Sequence, residues 1–117
     1  MVTHQRIRTL ERQLQDVQAA LSRIGDMQPG SLSRQFNVCG NPRCRCKADP
    51  PRKHGPYYQL SVNRKGHPHT KFVPLQAVST VKRQLRNYAK FKTLVNRWIA
   101  LATELCWLNI AQETPSS

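Results

Sequence analysis

Acidic residues are scarce in this chain: six Asp and Glu stand against nineteen Lys and Arg in 117 residues, a formal charge of +13. Between Arg34 and Arg97 there are fifteen Lys or Arg and one acid, Asp49. A metal-dependent nuclease or transposase needs several convergent carboxylates, which that stretch does not hold. Aromatic residues make up 7% of the chain and hydrophobic residues 38%, so the expected core is small, and the length suits one domain rather than a two-domain enzyme. No window approaches the roughly eighteen consecutive apolar residues of a membrane span. The first twelve residues carry charge without the apolar stretch of a secretory signal. The expectation is a soluble, cytoplasmic protein with no membrane partner. Internal repeats, low-complexity tracts and helix-turn-helix spacing are also missing.

What is present falls into three segments of different period. Ile7, Leu10, Leu14, Val17, Leu21 and Ile24 alternate spacings of three and four, the seam of a coiled-coil-like helix, and Gly25, Pro29 and Gly30 supply its stop. The last third carries a longer helix, expected to open at Pro74, whose missing N–H costs nothing in a first turn. One seam there runs Val78, Val81, Leu85, Tyr88, Val95, Ile99 and Ala102. A second stripe of Leu94, Trp98, Leu101, Leu105 and Leu108 joins it, so the C-terminal half needs neighbours on two sides. Lys82, Arg83, Arg86, Lys90 and Arg97 form a basic stripe away from the first seam. Between the helices, Pro and Gly break every helical period. Residues 36–38, 57–62 and 70–73 have strand composition, and Asn63, Arg64, Lys65 and Gly66 suit a hairpin turn.

The fold class expected is α+β, with two antiparallel helices and a small β-rich insert. The boundaries read as a helix over 1–29, a Cys/His module over 30–73, a long basic helix over 74–112 and a disordered tail over 113–117. The N-terminal seam must be covered. If it folds back on the long helix, the protein is a monomeric module; if it stays open, it is the device of a homodimer.

Cys39, Cys44 and Cys46 stand as C-x4-C-x-C, with His54 eight residues on. Three thiolates and an imidazole make a closed tetrahedral set for structural zinc, and Gly40, Asn41 and Pro42 provide a tight bend between the first two sulfurs. The C-x-C half is shorter than the usual zinc knuckle, whereas Arg43, Arg45, Lys47, Arg52 and Lys53 would offset the charge of three thiolates. Inert buried thiols, an iron–sulfur centre and disulfides remain as other readings, and His67 and His69 as other fourth ligands. Cys106, among Leu105, Trp107 and Leu108, is expected to be a core residue.

The strings Gly30-Ser31-Leu32, Asn37-Val38-Cys39-Gly40, Pro42, Cys44-Arg45-Cys46 and His54-Gly55-Pro56-Tyr57-Tyr58 resemble a family of small bacterial proteins known as a domain of unknown function, associated with transposase-like genes and mobile elements. The resemblance spans roughly residues 30–100. It implies that the three cysteines and His54 act as a unit, in a nucleic-acid setting.

The segregated charge is the electrostatic footprint of phosphate binding. The candidate contacts are Arg34, Arg43, Arg45, Lys47, Arg52, Lys53, Arg64, Lys65, Lys71, Lys82, Arg83, Arg86 and Lys90. Tyr57 and Tyr58, with Phe36 and Phe72 nearby in pattern, are candidates for stacking on bases, although strand alternation turns the two tyrosines to opposite faces. Weak sequence preference is expected, with DNA favoured over RNA and a bacterial nucleoid location. His67-Pro68-His69 with Tyr88 loosely resembles the histidine pair and helix tyrosine of rolling-circle nucleases, but Pro68 stands where that motif has a bulky apolar residue. No catalytic residue is expected. The function read from the sequence is therefore non-enzymatic nucleic-acid binding as an accessory or regulatory factor of a mobile element. The alternative is a helical adaptor that docks on a recombinase or transposase.

Overall fold

A computed structural model describes residues 2–113. Its elements are α1 (Val2–Ser22), β1 (Ser31–Asn37), β2 (His54–Arg64), β3 (His67–Val73) and α2 (Val78–Glu113), with single 3-10 turns at Arg45–Lys47 and Leu75–Ala77. The fold is α+β. Most of the tail expected over 113–117 lies outside the described residues, and Glu113 is still helical. The chain divides into two compact units: a helical unit of Met1–Asp26 with Asn87–Ser117, and a sheet unit of Met27–Arg86.

In the helical unit the N-terminal seam is taken up within the chain. Leu10 has no exposed surface and Val17 is buried, while Ile7, Leu14, Leu21 and Ile24 are half-buried. The centre of the seam is thus closed within the single chain at Leu10 and Val17, while Ile7, Leu14, Leu21 and Ile24 keep part of their surface. Helix α1 also ends two residues short of Ile24. Arg23 and Ile24 donate their N–H groups to the carbonyls of Ala20 and Leu21, so the last turn tightens to i→i−3 bonds. On α2, Leu94, Leu101, Leu105 and Leu108 are half-buried, whereas Ile99, Trp107 and Cys106 are exposed. Cys106 is therefore not the core residue expected from its neighbours, because it lies on the stripe opposite those leucines. Arg6 forks onto Glu104, with Nε donating at 2.7 Å and Nη2 at 3.0 Å, an exposed pair worth at most about 1 kcal/mol. Asn87 Nδ2 donates to the Asp26 carbonyl at 2.8 Å.

The sheet unit is an antiparallel meander in the order β1-β2-β3. Arg64 pairs with His67 across a two-residue turn, with φ of 52° at Lys65 and 79° at Gly66. Two successive positive φ values are the signature of the type I′ turn that matches strand twist. All three strands run longer than expected, and β1 begins five residues earlier. Its outward Ser31, Ser33 and Gln35 have no strand propensity to announce it. Pro68 is tolerated because β3 is an edge.

One sheet face carries Leu32, Tyr58, Leu60, Val62 and Val73, which pack with Val78, Val81 and Leu85 from the start of α2. Only Leu60, Val73, Val78 and Val81 are buried in this cluster, a core too small to order a long loop as well. Helix α2 begins at Val78 rather than Pro74, which precedes the 3-10 turn and accepts the Ala77 N–H at 2.9 Å. Gln28 fastens the segment before β1 to α2 through its N–H on the Gln84 carbonyl, 3.4 Å, and its side chain on Gln84 Oε1.

Candidate metal centre

The connection from β1 to β2 is a long loop that returns to its starting point, because Asn37 at the end of β1 pairs with His54 at the start of β2. Cys39 leaves β1, Cys44 and Cys46 flank the start of the 3-10 turn, and His54 opens β2. Asn41 shapes the bend between the first two cysteines. Its carbonyl accepts the Cys44 N–H at 3.1 Å and its side-chain oxygen accepts the Arg43 N–H at 3.0 Å.

The three sulfurs and the imidazole converge so that their ligand atoms all lie within 4.8 Å of one another. The Cys39 and Cys46 sulfurs are 3.6 Å apart, near the roughly 3.8 Å that two Zn–S bonds of about 2.3 Å subtend at a tetrahedral angle. His54 Nε2 lies 2.9 Å from the Cys44 sulfur. The Cys39 N–H points at the Cys46 sulfur at 3.3 Å, the backbone support a thiolate ligand receives from its surroundings. Cys46 is buried and the other three are half-buried. His67 and His69 stand on β3 and are not part of the cluster.

The thiols are not equivalent. The backbone N–H of Cys46 is the main cause holding the Cys44 thiol down to about 6, helped against burial by Cys39, Cys46 and His54. For Cys39 the Asn41 backbone acts to lower the pKa, but the Cys44 sulfur, burial and Cys46 together leave it raised. Cys44 thus presents a thiolate at neutral pH, the form a metal binds. The site can hold a divalent ion such as zinc.

Gly55 fixes the entry of β2 into this site. Its φ is +133°, and a Cβ there would sit 2.8 Å from the Gln35 carbonyl oxygen, where the β1–β2 register shifts. Gly55→Ala is expected to cost roughly 1–3 kcal/mol and to weaken metal binding by displacing His54. Thermal unfolding with a zinc titration checks this, and wild-type values for both would show that the strand entry is not constrained.

Residues 4–83 match a family described as a domain of unknown function, DUF6788. The chain belongs to this family. The DUF6788 match begins inside α1, includes all three strands and all four candidate ligands, and ends in the second turn of α2. It takes in the helix upstream of the segment that carried the sequence resemblance. No curated protein and no solved structure matches the chain. Among the described residues no helix is long and apolar enough to cross a membrane.

The sheet unit of this DUF6788 chain holds twelve of the thirteen candidate cationic residues; Lys90 falls in the helical unit. All thirteen are exposed. Arg34 lays its guanidinium over the Phe36 ring, 5.4 Å from the centroid. Tyr57 is exposed, whereas Tyr58 packs against the core. The outward sheet face reads Ser31, Ser33, Gln35, Tyr57, Gln59, Ser61, Thr70 and Phe72 by register and carries no charge. Phe72, 60% exposed, pairs with Gln59 and so stands diagonal to Tyr57. Its face is set by the β2–β3 register, a pairing between distant positions that the local residue pattern does not show. A groove of about 380 Å³ that no sequence pattern marks is lined by Gln28, Pro29, Leu60, Val62, Arg64, His69 and Lys71.

Proposed function

We propose that this chain is a non-enzymatic nucleic-acid-binding protein whose sheet unit is stapled by structural zinc at Cys39, Cys44, Cys46 and His54. The observation that carries the reading is the partition of charge. The sheet unit holds twelve Lys and Arg and one acid, while the helical unit holds seven Lys and Arg and five acids. Solubility does not require such a partition, whereas a phosphate backbone does. Zinc with three thiolates leaves one negative charge, which Arg43, Arg45, Lys47, Arg52 and Lys53 on the same loop offset. The ion would hold those cations on a closed loop rather than a flexible one.

Exposed Tyr57 and Phe72 offer π-faces for unpaired bases beside the cationic surface. Antiparallel packing of α1 on α2 is supported by the order of their contacts, Arg6 with Glu104 and Asp26 with Asn87. The role as an accessory factor of a mobile element, with DNA as the ligand, rests on the sequence resemblance. The test is binding of the zinc-loaded protein to labelled duplex DNA, single-stranded DNA and RNA of one length, between about 50 and 200 mM salt. Affinity is expected to fall linearly with salt on logarithmic axes. A flat profile, or no binding at the lowest salt, overturns the reading.

A further inference from the structure

The outer face of α2 is apolar and mostly exposed: Ile99, Cys106, Trp98 and Trp107 are exposed, and Val95 and Ala102 are half-buried. Val95, Ile99, Ala102 and Cys106 follow the alternating spacing of four and three, flanked by Trp98 and Trp107, and together they line a shallow groove. Ile99 is 58% and Trp107 71% exposed. This face is opposite the half-buried leucines of the same helix, so the intramolecular packing leaves it unpaired.

Its pattern is symmetric about the point between Ala102 and Thr103. Ile99 and Cys106 lie at equal distances on either side of that point, and so do Lys92 and Glu113 further out. The two central side chains are small enough for two helix backbones to approach closely. The charged ends are of opposite sign, about 16 Å from the centre at 1.5 Å per residue. A surface whose two halves complement each other in size and charge fits its own copy turned end for end, the requirement of an isologous two-fold contact.

The geometry points to a second copy of this chain as the partner of that face, with the two α2 helices antiparallel and crossing at Ala102 and Thr103. Ile99 of one copy then sits beside Cys106 of the other, and Lys92 beside Glu113. The contact lies wholly in the helical unit, and it stands whether or not the sheet unit binds nucleic acid.

Sedimentation equilibrium of the zinc-loaded full chain tests this, with circular dichroism to verify helix content. The wild type is expected to be dimeric and Ile99→Lys monomeric with unchanged helicity, since Ile99 already faces solvent in the single chain. Lys92→Glu is expected to weaken the dimer about fivefold or more, the scale of a like-charge contact, and the reciprocal pair Lys92→Glu with Glu113→Lys to restore it. A monomeric wild type, or a dimer that survives Ile99→Lys, overturns the proposal. Failure of the reciprocal pair to rescue overturns the antiparallel arrangement.

Discussion

Cys44→Ser is expected to strip the metal from the sheet unit and leave the loop between β1 and β2 disordered, while both helices persist. The loop runs from Val38 to Lys53, and its one buried side chain is Cys46, itself a candidate ligand. Its internal backbone bonds are those of the turns at Asn41, Cys44 and Arg45 and one longer bond, in which the Arg52 N–H donates to the Arg45 carbonyl at 3.2 Å. No apolar cluster is available to order it, so the ion must supply that order. Cys44 is the most telling ligand to remove because its thiol already lies near 6 and is ionised at neutral pH. A serine hydroxyl stays protonated there and is a poor zinc ligand. Zinc affinity should fall by more than the roughly 10–100-fold typical of losing a supporting contact. Metal content by elemental analysis and limited proteolysis within the loop are the readouts. A variant that keeps one zinc per chain and resists protease would remove the metal centre. The pH dependence has a definite sign. The folded-state pKa of Cys44 is depressed, so the thiolate is present above about 6 and is lost as pH falls through that value. Metal uptake by the free chain should weaken over the same interval.

Much of this was readable from local pattern, and what escaped was non-local. The seam from Ile7 to Leu21 declared α1 because helical period is a property of a short window. The Lys65-Gly66 turn was legible for a similar reason, since few residues accept two positive φ values. The Cys/His cluster was legible because its spacing is compact. The choice of His54 over His67 and His69 depends on the pairing of Asn37 with His54, a contact between distant positions. Strand β1 was mostly missed because Ser31, Ser33 and Gln35 face outward on an edge and carry no apolar signal. Cys106 was misplaced because Leu105 and Leu108 mark one face of α2 while Cys106 lies on another. Periodicity identified two apolar stripes there but not which of them α1 would cover.

Replacing Lys82, Arg83 and Arg86 together with alanine is expected to weaken nucleic-acid binding on the order of a hundredfold near physiological salt, and to reduce the slope of log affinity against log salt by about 3. The three residues are exposed on the first two and a half turns of α2, whereas Val78 and Val81 of the same turns are buried in the core of the sheet unit. Alanine preserves helix propensity, and the change leaves the Cys/His loop intact. A drop in affinity therefore reports lost phosphate contacts rather than lost fold. The necessary control has the same change in charge elsewhere: Arg8, Arg12 and Arg23 of the helical unit, three residues that lie outside the cation-rich stretch from Arg34 to Arg97. If both triple variants lose affinity equally, the protein attracts polyanions through net charge alone and has no defined footprint. If the α2 variant keeps the wild-type slope, phosphates do not contact that helix. A steep loss confined to the α2 variant, with zinc content unchanged, places the start of α2 in the footprint and separates its contribution from that of the stapled loop.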